Sequence, residues 1–511
     1  MIATSSDLIS QNYDHIIVGG GSAGCLIAAR LSADSARRVL LIEAGGADID
    51  QPSIDDPTRW FSNLGSEVDW QYRTVSQRNA NGRIIDFNRG KVLGGSSSIN
   101  ATVWVWGHPT NFDQWASEGN VGWDFASLSP IFQSLESSPR ATTGRGRGQT
   151  GPMRLTATSA DLPIAQVFFE ACREIGYPIL DDVNGPVAEG CGTYDLNVVD
   201  GRRYSAARAL LLPVARRPNL TILSCAEVEA LRLEKNRCVG VRCRSDGRVQ
   251  EFRSDREVIL CAGAIGSPHL LMKSGIGNAT DLQRVGIKVE LDLPGVGENL
   301  QDHCLIRVYA AETREIFRSQ RHPDAHLYLR SNNALPAPDI EIIMSSSATG
   351  VRDLPDDRNF VLTTTLLRPL SRGRLALGTS DGPIQIDPRY LSHEQDLDAM
   401  CVAVEKCNEL SLTTALSRRE ARRVRSAPRE KAAMRDFLRA NVGTYWHPVG
   451  TCAMGIGEQS VVDPSLRVRG VSNLRIADSS VMPSITTGNT LAPTLVIAER
   501  AARLILANAK E

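Results

Sequence analysis

The sequence predicts an α/β fold in which a Rossmann-like nucleotide-binding domain carries an inserted domain of antiparallel sheet and helices. A glycine-rich loop lies between two short apolar segments near the N-terminus, and a further apolar segment at residues 257–263 can join the same sheet. Residues 304–440 differ from these N-terminal and central segments, because they are richer in Arg and contain short β-like segments. A chain of 511 residues exceeds one ordinary hydrophobic core, so two domains are expected.

The N-terminal segment predicts a βαβ unit. Residues 13–18 form an apolar strand, the run GGGSAG follows at residues 19–24, and an Ala-rich helix at 26–31 leads to a second buried strand at 38–43. The glycines allow a tight turn, close approach to a pyrophosphate and close helix packing. The helix N-terminus offers free N–H groups to the phosphates, and Glu43 is placed to accept hydrogen bonds from ribose hydroxyls.

Two further segments complete the nucleotide-binding prediction. Residues 89–100 (RGKVLGGSSSIN) form a small-residue loop. This loop is either a flexible turn or, as its apolar flanks favour, backbone pressed against a planar or phosphate-bearing ligand. Residues 257–263 form a buried strand, after which Ser267 and Pro268 open a helix at 269–274.

The region 304–440 predicts the inserted domain. Its β-like segments at 340–344 and 373–377 precede a helical region from about Ser392, whose candidate inward positions are Ala399, Val402, Val404 and Leu410. The Arg-rich run 418–423 indicates a solvated helix face. Outside this region, the run GRGRGQTG at 144–151 indicates a mobile surface loop.

Composition excludes several classes of protein. A net charge of −1 argues against nucleic acid or an anionic membrane surface as the main partner. There is no apolar run of about 18 residues, so no membrane span is expected, and residues 1–12 lack the pattern of a secretory signal. The 11 cysteines are scattered without a Cys-x-x-Cys pair, and those expected in apolar or small-residue surroundings are Cys25, Cys225, Cys261 and Cys452. We therefore expect a cytoplasmic protein with neither disulfides nor a metal site.

Two polar residues near the C-terminus are the candidates for chemistry. His447 lies in the run WHPVGT and Asn489 in the run SITTGNTLAP, each on a turn rich in Gly, Thr and Pro. An imidazole has the intrinsic pKa range of a proton acceptor, and a carboxamide can donate a hydrogen bond to an alcohol oxygen. Asn489 alternatively N-caps the final helix, which is predicted from about Pro493.

Other aromatic and titratable residues are weaker candidates. Trp446 either packs against the ligand or is a core aromatic, and Tyr445 and Trp104 either line the pocket or belong to the core. His303, directly after Asp302, is expected to hold a turn, and His269 is expected to cap a helix start.

Six blocks in order resemble the glucose-methanol-choline (GMC) family of FAD-dependent alcohol oxidoreductases, over almost the whole chain. They are GGGSAG with Glu43, GKVLGGSSSIN from Gly90, VILCAGAIGSPHLLMKSGIG from Val258, PGVGENLQDH from Pro294, HPVGTCAMG from His447 and VVDPSLRVRGVSNLRIADSSVMPSITTGNTLAP from Val461. The segment 304–328 looks shorter than in many relatives. In this the chain resembles the compact bacterial members, which are similar to choline dehydrogenases and to oxidases of aromatic (hydroxymethylfurfural-type) alcohols.

The resemblance implies FAD rather than NAD as the cofactor, and two interleaved domains. The FAD-binding domain would comprise residues 1–154, 196–301 and 446–511, and the substrate-binding domain residues 155–195 and 302–445. His447 and Asn489 would form the catalytic pair. The cofactor-binding residues that the resemblance and the motifs together imply are Gly19, Gly21, Ser22, Ala23, Gly24, Glu43, Ala44, Arg89, Val92, Gly94, Gly95, Ser96, Asn100, Ala101, Val103, Val228, Ala262, Gly263, Trp446, Asp478, Asn489 and Thr490.

The mode of FAD attachment follows from one departure from the family pattern. Some members attach FAD covalently through a His in the GGSSS-type block, and Ile99 stands at the corresponding position here. An Ile side chain has no nucleophile with which to make that bond. We therefore expect FAD to be bound non-covalently.

The resemblance implies oxidation of a primary alcohol to an aldehyde, with His447 taking the hydroxyl proton and the electrons passing to O₂ or to a quinone or dye. The alternative is a lyase of the same fold, or another flavoprotein without net alcohol oxidation. Alcohols with aromatic or furanic hydroxymethyl groups, including vitamin B6-type alcohols, are favoured, whereas polyols, sugars and aminoglycosides stay open. No carboxylate with an aromatic cage for a quaternary ammonium is identifiable in the sequence. The expected assembly is a monomer or a small homo-oligomer.

Overall fold

The protein is built around two β-sheets. The structure is a computed structural model that describes residues 2–3, 12–48, 51–141, 146–184, 189–315, 325–346 and 358–507. The larger sheet has a parallel part whose strands lie in the order Ile2–Ala3, Leu220–Leu223, Val39–Ile42, Asn12–Val18 and Arg248–Leu260. Two antiparallel strands, Arg237–Ser245 and Ala226–Glu234, extend it beyond Arg248–Leu260. Leu474–Ile476 pairs in parallel with the second half of Arg248–Leu260.

The predicted βαβ unit is present at the centre of this sheet. The helix Ser22–Leu31 connects the parallel strands Asn12–Val18 and Val39–Ile42. A methyl group added at Gly24 would lie 1.9 Å from the carbonyl oxygen of Gly19, so the helix can rest on the loop only with glycine at this position. The predicted role of this glycine in close packing is therefore confirmed.

The smaller sheet is antiparallel throughout. Its strands lie in the order Glu420–Arg425, Cys304–Thr313, Asn359–Leu366, Ile340–Ser345, Ala325–Leu329 and Gly190–Gly192, and Gly443–Thr444 also pairs with Cys304–Thr313. The helix Glu394–Leu412 packs on one face, against Asn359–Leu366. Its predicted inward residues Ala399, Val404 and Leu410 are buried, and Val402 is half-buried.

The remaining elements are further helices, short helical turns and short strands. The other α-helices are Pro52–Asp55, Pro109–Ser117, Phe125–Leu135, Pro163–Glu174, Gly263–Lys273, Ala279–Arg284, Thr414–Ser417, Lys431–Asn441 and Leu491–Ala507. Tighter or wider helical turns span Pro57–Asn63, Arg78–Ala80, Gly95–Ser98, Ala207–Leu211, Leu212–Val214 and Ser479–Val481. The other strands are Val103–Trp104, Glu136–Ser137, Met153–Arg154, Thr156–Ala157, Asp195–Leu196, Val198–Val199, Arg202–Arg203, Ile276–Gly277, Leu291–Asp292, Arg374–Leu377 and Ile384–Asp387.

The helix after Arg248–Leu260 begins earlier than predicted. It spans Gly263–Lys273, so Pro268 lies inside it, and the prediction that Ser267 and Pro268 open the helix and His269 caps it is wrong. A proline in a helix leaves the carbonyl four residues earlier without its usual partner. Here the hydroxyl of Thr451 donates to the carbonyl of Ala264 at 2.6 Å and replaces that bond.

The Arg-rich run 418–423 is not a helix face. Glu420–Arg425 is an edge strand that pairs with Cys304–Thr313. Arg422 lies opposite Glu312 in the register and donates to its carboxylate at 3.2 Å. Charged side chains of this kind are a common way to protect an edge strand from further pairing.

The run 144–151 contains a buried ion-pair centre, and the prediction of a mobile surface loop is wrong for its described part, residues 146–151. Arg147 is fully buried and donates to the carboxylates of Glu136, Asp182 and Asp195 at 2.6–2.9 Å. Residues 144 and 145 lie outside the described residues. The three acids compensate the cost of burying the guanidinium.

The cysteines follow the prediction with one exception. All 11 are free thiols, and Cys25, Cys261 and Cys452 are buried. Cys225 differs from these three because it is exposed, and it has a φ of 54°.

The predicted α/β class with an antiparallel sheet and helices is confirmed. Among the described residues, no helix combines the length and the apolarity needed to cross a membrane. Within the same ranges, no group of three or more His, Cys, Asp or Glu side chains is arranged to hold a metal ion.

Candidate active site

A large cavity lies where the two sheets meet. On one side it is lined from the carboxyl ends of the parallel strands, by residues that include Val18, Ile42 and Cys261. On the other side it is lined by one face of the antiparallel sheet. Ligands of open α/β sheets bind outside the carboxyl ends of the strands, so this is the expected position for a dinucleotide.

Most of the predicted cofactor-binding residues line this cavity. They are Gly19, Gly21, Ser22, Ala23, Glu43, Ala44, Arg89, Gly95, Ser96, Asn100, Ala101, Val103, Val228, Ala262, Gly263, Trp446, Asp478, Asn489 and Thr490.

Three of the predicted cofactor-binding residues are outside the lining. Gly24 packs the helix Ser22–Leu31 against the glycine loop, as described above. Val92 is fully buried in a small cluster with Ile54, Val68 and Ile99. Gly94 supports the loop, since its φ is 86° and a methyl group there would lie 2.2 Å from the Ser98 hydroxyl. These three residues support the cavity wall without lining it.

The floor of the cavity is built by close contact between the two glycine loops. A methyl group at Gly95 would lie 2.8 Å from the Cα of Gly21, and one at Gly19 would lie 2.6 Å from the Cys261 carbonyl oxygen. The helix Ser22–Leu31 begins at this point, and no side chain caps its first amides. Free amides at a helix N-terminus are a binding site for phosphate. The residues present therefore fit the pyrophosphate of FAD.

Glu43 projects into the same part of the cavity. Its carboxylate accepts hydrogen bonds from the backbone N–H groups of Gly20 at 2.7 Å and Gly45 at 2.9 Å. Burial raises the pKa of Glu43 to about 7, although these two bonds oppose the shift. A carboxylate held in this way can still accept hydrogen bonds on its remaining lone pairs, which fits the predicted contact with ribose hydroxyls.

Asp478 is buried at the junction of three segments. It accepts hydrogen bonds from the Ser267 hydroxyl at 2.6 Å, the Ser480 amide at 2.8 Å and the Gly263 amide at 2.9 Å. Burial raises its pKa. These contacts join the start of the helix Gly263–Lys273 to the segment that follows Leu474–Ile476, so Asp478 orders the cavity wall there.

His447 lies between two polar partners. Its Nδ1 is 2.9 Å from the Nδ1 of His303, and its Nε2 is 3.2 Å from the amide nitrogen of Asn489. The Nε2 of His303 lies 3.1 Å from the carbonyl oxygen of Leu367. Burial lowers the pKa of His447 well below its usual value, and nearby His303 and Arg89 lower it further. Burial lowers the pKa of His303 to about 3.

His303 was expected to hold a turn, and the structure adds a direct contact between its ring and His447. The contact depends on the strand Cys304–Thr313, which starts directly after His303 and fixes its direction. A signal for it was present in the sequence, since His303 follows Asp302 in the block PGVGENLQDH. The residue that it would touch lies 144 positions away, and the sequence does not show that distance.

Asp302 holds the backbone of His447. The carboxylate accepts from the His447 backbone N–H at 2.7 Å and from the Thr444 hydroxyl at 2.6 Å, and it also accepts from the Tyr390 hydroxyl. Burial raises the pKa of Asp302 to about 6. All three hydrogen-bond donors to Asp302 are groups of the protein, so Asp302 holds His447 in place.

Of the other aromatic and histidine candidates, three line the cavity and one belongs to the core. Trp446 lines the cavity, has a φ of 60°, and is held by Arg89, whose Nη1 donates to its carbonyl oxygen at 2.5 Å. Tyr445 also lines the cavity, with its ring 4.4 Å from that of His447. Trp104 is fully buried and donates to Glu136 at 2.7 Å, so it belongs to the core. His269 lines the cavity from within its helix.

The final helix starts two residues after Asn489. It spans Leu491–Ala507, and Thr490, Leu491 and Thr494 line the cavity with Asn489. The carbonyl oxygen of the Asn489 side chain is buried and has no hydrogen-bond partner among the described residues. Buried polar atoms are normally paired, so this oxygen is available to a ligand.

Comparison with known proteins places the chain in a family. The sequence profiles for GMC oxidoreductase match residues 13–305 and 369–498. The chain is a GMC oxidoreductase. The predicted resemblance is thus confirmed.

Relatives and solved structures agree with this GMC assignment. Mitochondrial choline dehydrogenase of Homo sapiens is 37% identical over an alignment 544 positions long, which covers 99% of this chain and 91% of that protein. Alcohol dehydrogenase [acceptor] of Pseudomonas putida is 34% identical and covers 97% of this chain and 96% of its own. The crystal structure of pyridoxine 4-oxidase from Mesorbium loti superposes with a TM-score of 0.92 at 35% identity, covering 97% of this chain and 99% of that one.

GMC oxidoreductases are FAD-dependent flavoproteins that oxidise alcohols. This chain is accordingly an FAD-dependent alcohol oxidoreductase.

Proposed function

We propose that this GMC oxidoreductase converts a primary alcohol to the aldehyde, with His447 as the proton acceptor and Asn489 as the residue that positions the alcohol oxygen. The observation that carries the proposal is the contact between the Nδ1 atoms of His303 and His447 at 2.9 Å. It decides which nitrogen of His447 is free to accept a proton.

The protonation of the two rings follows from their partners. A carbonyl oxygen can only accept, so the Nε2 of His303 carries a proton and donates to Leu367. His303 is neutral, because its pKa is lowered to about 3, and its Nδ1 must therefore be an acceptor. The Nδ1 of His447 then carries the proton of that hydrogen bond. The neutral ring of His447 is left with an unprotonated Nε2, beside the amide nitrogen of Asn489.

This arrangement suits proton abstraction from an alcohol. Bound FAD supplies the acceptor for the hydride that leaves the carbinol carbon. The Nε2 of His447 takes the hydroxyl proton, and the amide of Asn489 donates to the same oxygen as negative charge develops on it. Burial keeps His447 neutral, and the hydrogen bond from its backbone N–H to Asp302 holds its place. A positioned base of this kind typically contributes ~10²–10⁴-fold to the rate.

The cavity lining favours a planar, largely apolar alcohol. Trp446 and Tyr445 flank His447, and Leu305, Ile343 and Val361 line the wall from the antiparallel sheet. Rings of this kind bury large apolar area and stack on flat ligands. We therefore propose arylmethanols, or their furanic counterparts, as the substrate class, and the similarity to pyridoxine 4-oxidase supports this.

The test is anaerobic addition of an alcohol panel to the FAD-loaded protein, followed by exposure to air. Loss of the yellow flavin absorbance with an arylmethanol, together with formation of the aldehyde, is the expected result. A flavin spectrum that stays yellow while substrate is consumed would favour a lyase of the same fold. The rate at which colour returns in air then separates O₂ from a quinone or dye as the electron acceptor.

We also propose the domain division stated above: 1–154, 196–301 and 446–511 for FAD, and 155–195 and 302–445 for substrate. It is supported by the position of the antiparallel strands, which run from Gly190–Gly192 and from Cys304–Thr313 to Gly443–Thr444. The cytoplasmic location and the monomeric or small homo-oligomeric state stay predictions.

A further inference from the structure

The antiparallel sheet presents an ordered row of side chains to the cavity. The cross-strand register places Arg307 opposite Thr363, and Thr363 opposite Ile343. All three line the cavity, and so does Ser345, two residues along from Ile343 on the same face. On the other face of the strand, Ile306 and Val308 are fully buried in the core. The direction of Arg307 into the cavity is therefore set by the alternation of its strand.

Among the described residues, Arg307 has no acidic partner. Its guanidinium makes no hydrogen bond or ion pair within those ranges, although it is partly buried. Burial lowers the pKa of Arg307, and the neighbouring Arg425 lowers it further. Arg425 is tied in place by hydrogen bonds to the Arg307 carbonyl oxygen and to Asn441, both at 3.2 Å. A second positive charge is thus fixed behind the first.

Two other buried arginines of this protein have carboxylate partners. Arg147 is surrounded by three carboxylates, and Arg475 is bonded to Glu257 at 2.9 Å. The antiparallel sheet contributes one wall of the cavity, and Arg307 is the charged residue of that wall. The other residues of the wall are Leu305, Ile343, Ser345, Val361 and Thr363. A half-buried guanidinium without a counter-charge is costly, and an anion in the cavity would remove that cost.

We propose that Arg307 binds a carboxylate on the alcohol substrate, at the end of the molecule remote from the hydroxymethyl group. The inference rests on the proposed function, because it places the reacting end of the substrate at His447. The planar guanidinium fork matches a carboxylate with two parallel hydrogen bonds, and the Thr363 hydroxyl is the adjacent polar group on the same row. The substrate class is then a hydroxymethyl-substituted aromatic or furanic acid.

The position of Arg307 along its strand suits this role. Cys304 directly follows His303, which contacts His447, and Arg307 lies three residues further along the strand. With a rise of about 3.4 Å per residue, its backbone is roughly 10 Å beyond Cys304. The proposal requires one aromatic ring to span the distance between His447 and the tip of the Arg307 side chain. The cation also disfavours a positively charged substrate end at this wall.

The first arm of the test compares three matched alcohols on the FAD-loaded protein. They are para-(hydroxymethyl)benzoate, its methyl ester and para-methylbenzyl alcohol, each measured by anaerobic flavin reduction. The expected result is a kcat/KM for the acid that exceeds both neutral alcohols. Equal or lower values for the acid would overturn the inference while leaving the proposed function intact. No flavin reduction by any arylmethanol would instead count against the proposed function.

The second arm measures binding without turnover. Benzoate, which has no hydroxymethyl group, is titrated calorimetrically into the FAD-loaded protein, with benzamide as the neutral comparison. We expect Arg307→Met to weaken benzoate binding by about 10- to 100-fold and to leave benzamide binding changed far less. Arg244→Met is the matched control, because Arg244 lies on the strand Arg237–Ser245 of the other sheet and pairs with Glu229. It should leave both affinities unchanged.

Arg307→Lys keeps the charge without the fork and should give an intermediate benzoate affinity. If wild-type protein binds benzoate no better than benzamide, the inference is overturned whatever the variants do. The same conclusion follows if Arg307→Met and Arg244→Met have equal effects on benzoate binding.

Discussion

The Nδ1 atoms of His303 and His447 lie 2.9 Å apart, and this contact assigns a tautomer to the ring that faces the substrate. Because His303 donates its only proton to the Leu367 carbonyl, it can only accept from His447. The proton on the Nδ1 of His447 leaves Nε2 as the basic atom. In the proposed mechanism, His303 therefore has a positioning role that does not require contact with the alcohol.

Replacement of His303 tests that role. His303→Leu removes the acceptor for the Nδ1 proton, so the ring of His447 can adopt the other tautomer. We expect flavin reduction to slow by about 10- to 100-fold, a part of what a positioned base supplies. His303→Gln retains an amide oxygen at this place and should recover much of the rate. Equal losses for the two variants, at matched FAD content and melting temperature, would refute the tautomer argument.

Asn489 should matter less than the base beside it. Asn489→Ala removes a hydrogen-bond donor to the alcohol oxygen but leaves the lone pair of the His447 Nε2 atom in place. We expect a slowing of about 10- to 100-fold, smaller than that for loss of the imidazole. Stopped-flow measurement of flavin reduction on both variants compares them directly. A loss for Asn489→Ala that equals or exceeds the loss for His447→Ala would reverse the two roles.

FAD affinity should depend on pH through Glu43. Burial raises the pKa of Glu43 to about 7, and ribose hydroxyls donate to the ionised carboxylate. Binding therefore favours the ionised form, so a proton competes with FAD and the apparent Kd should rise as pH falls through about 7. Titration of the apoprotein with FAD, followed by flavin fluorescence between pH 8 and pH 6 (roughly one unit either side of that pKa), measures this. Glu43→Gln should bind more weakly at pH 8 and show a flat profile; a pH dependence that survives in Glu43→Gln would assign it to another group.

The attachment of FAD is predicted to be non-covalent. Ile99 is buried beside the loop Gly95–Ser98 and lines the cavity, but its hydrocarbon side chain cannot form a bond to the isoalloxazine ring. Acid precipitation should release all of the yellow colour into the supernatant. Colour that stays with the pellet, after washing in denaturant, would show a covalent link through some other residue.

The local parts of the fold could be predicted from the sequence because short-range rules govern them. The strand, glycine loop, helix and second strand of residues 12–42 follow from spacing and composition. The pairing of His447 with Asn489 came from the family blocks. By contrast, residues 418–423 were predicted to be a solvated helix face because they form a charged run, and only pairing with Cys304–Thr313 makes Glu420–Arg425 a strand.

Contacts between distant segments were beyond the reach of the sequence. Arg147 looked like part of a mobile loop, because the acids that bury it, such as Asp182 and Asp195, come from other segments. Arg307 was one arginine among many in an Arg-rich region until the register placed it on the cavity wall. Its position on the cavity wall without an acidic partner among the described residues is a property of the folded chain.

The most direct test of the account is the rate of flavin reduction in His447→Ala against wild type, measured anaerobically with one arylmethanol at saturating concentration. His447→Asn, which keeps a polar side chain of similar size, is the control for packing. The account predicts that His447→Ala retains yellow, fully loaded FAD and reduces it ~10²–10⁴-fold more slowly than wild type. A rate within a few-fold of wild type at full FAD content would contradict the assignment of His447 as the proton acceptor.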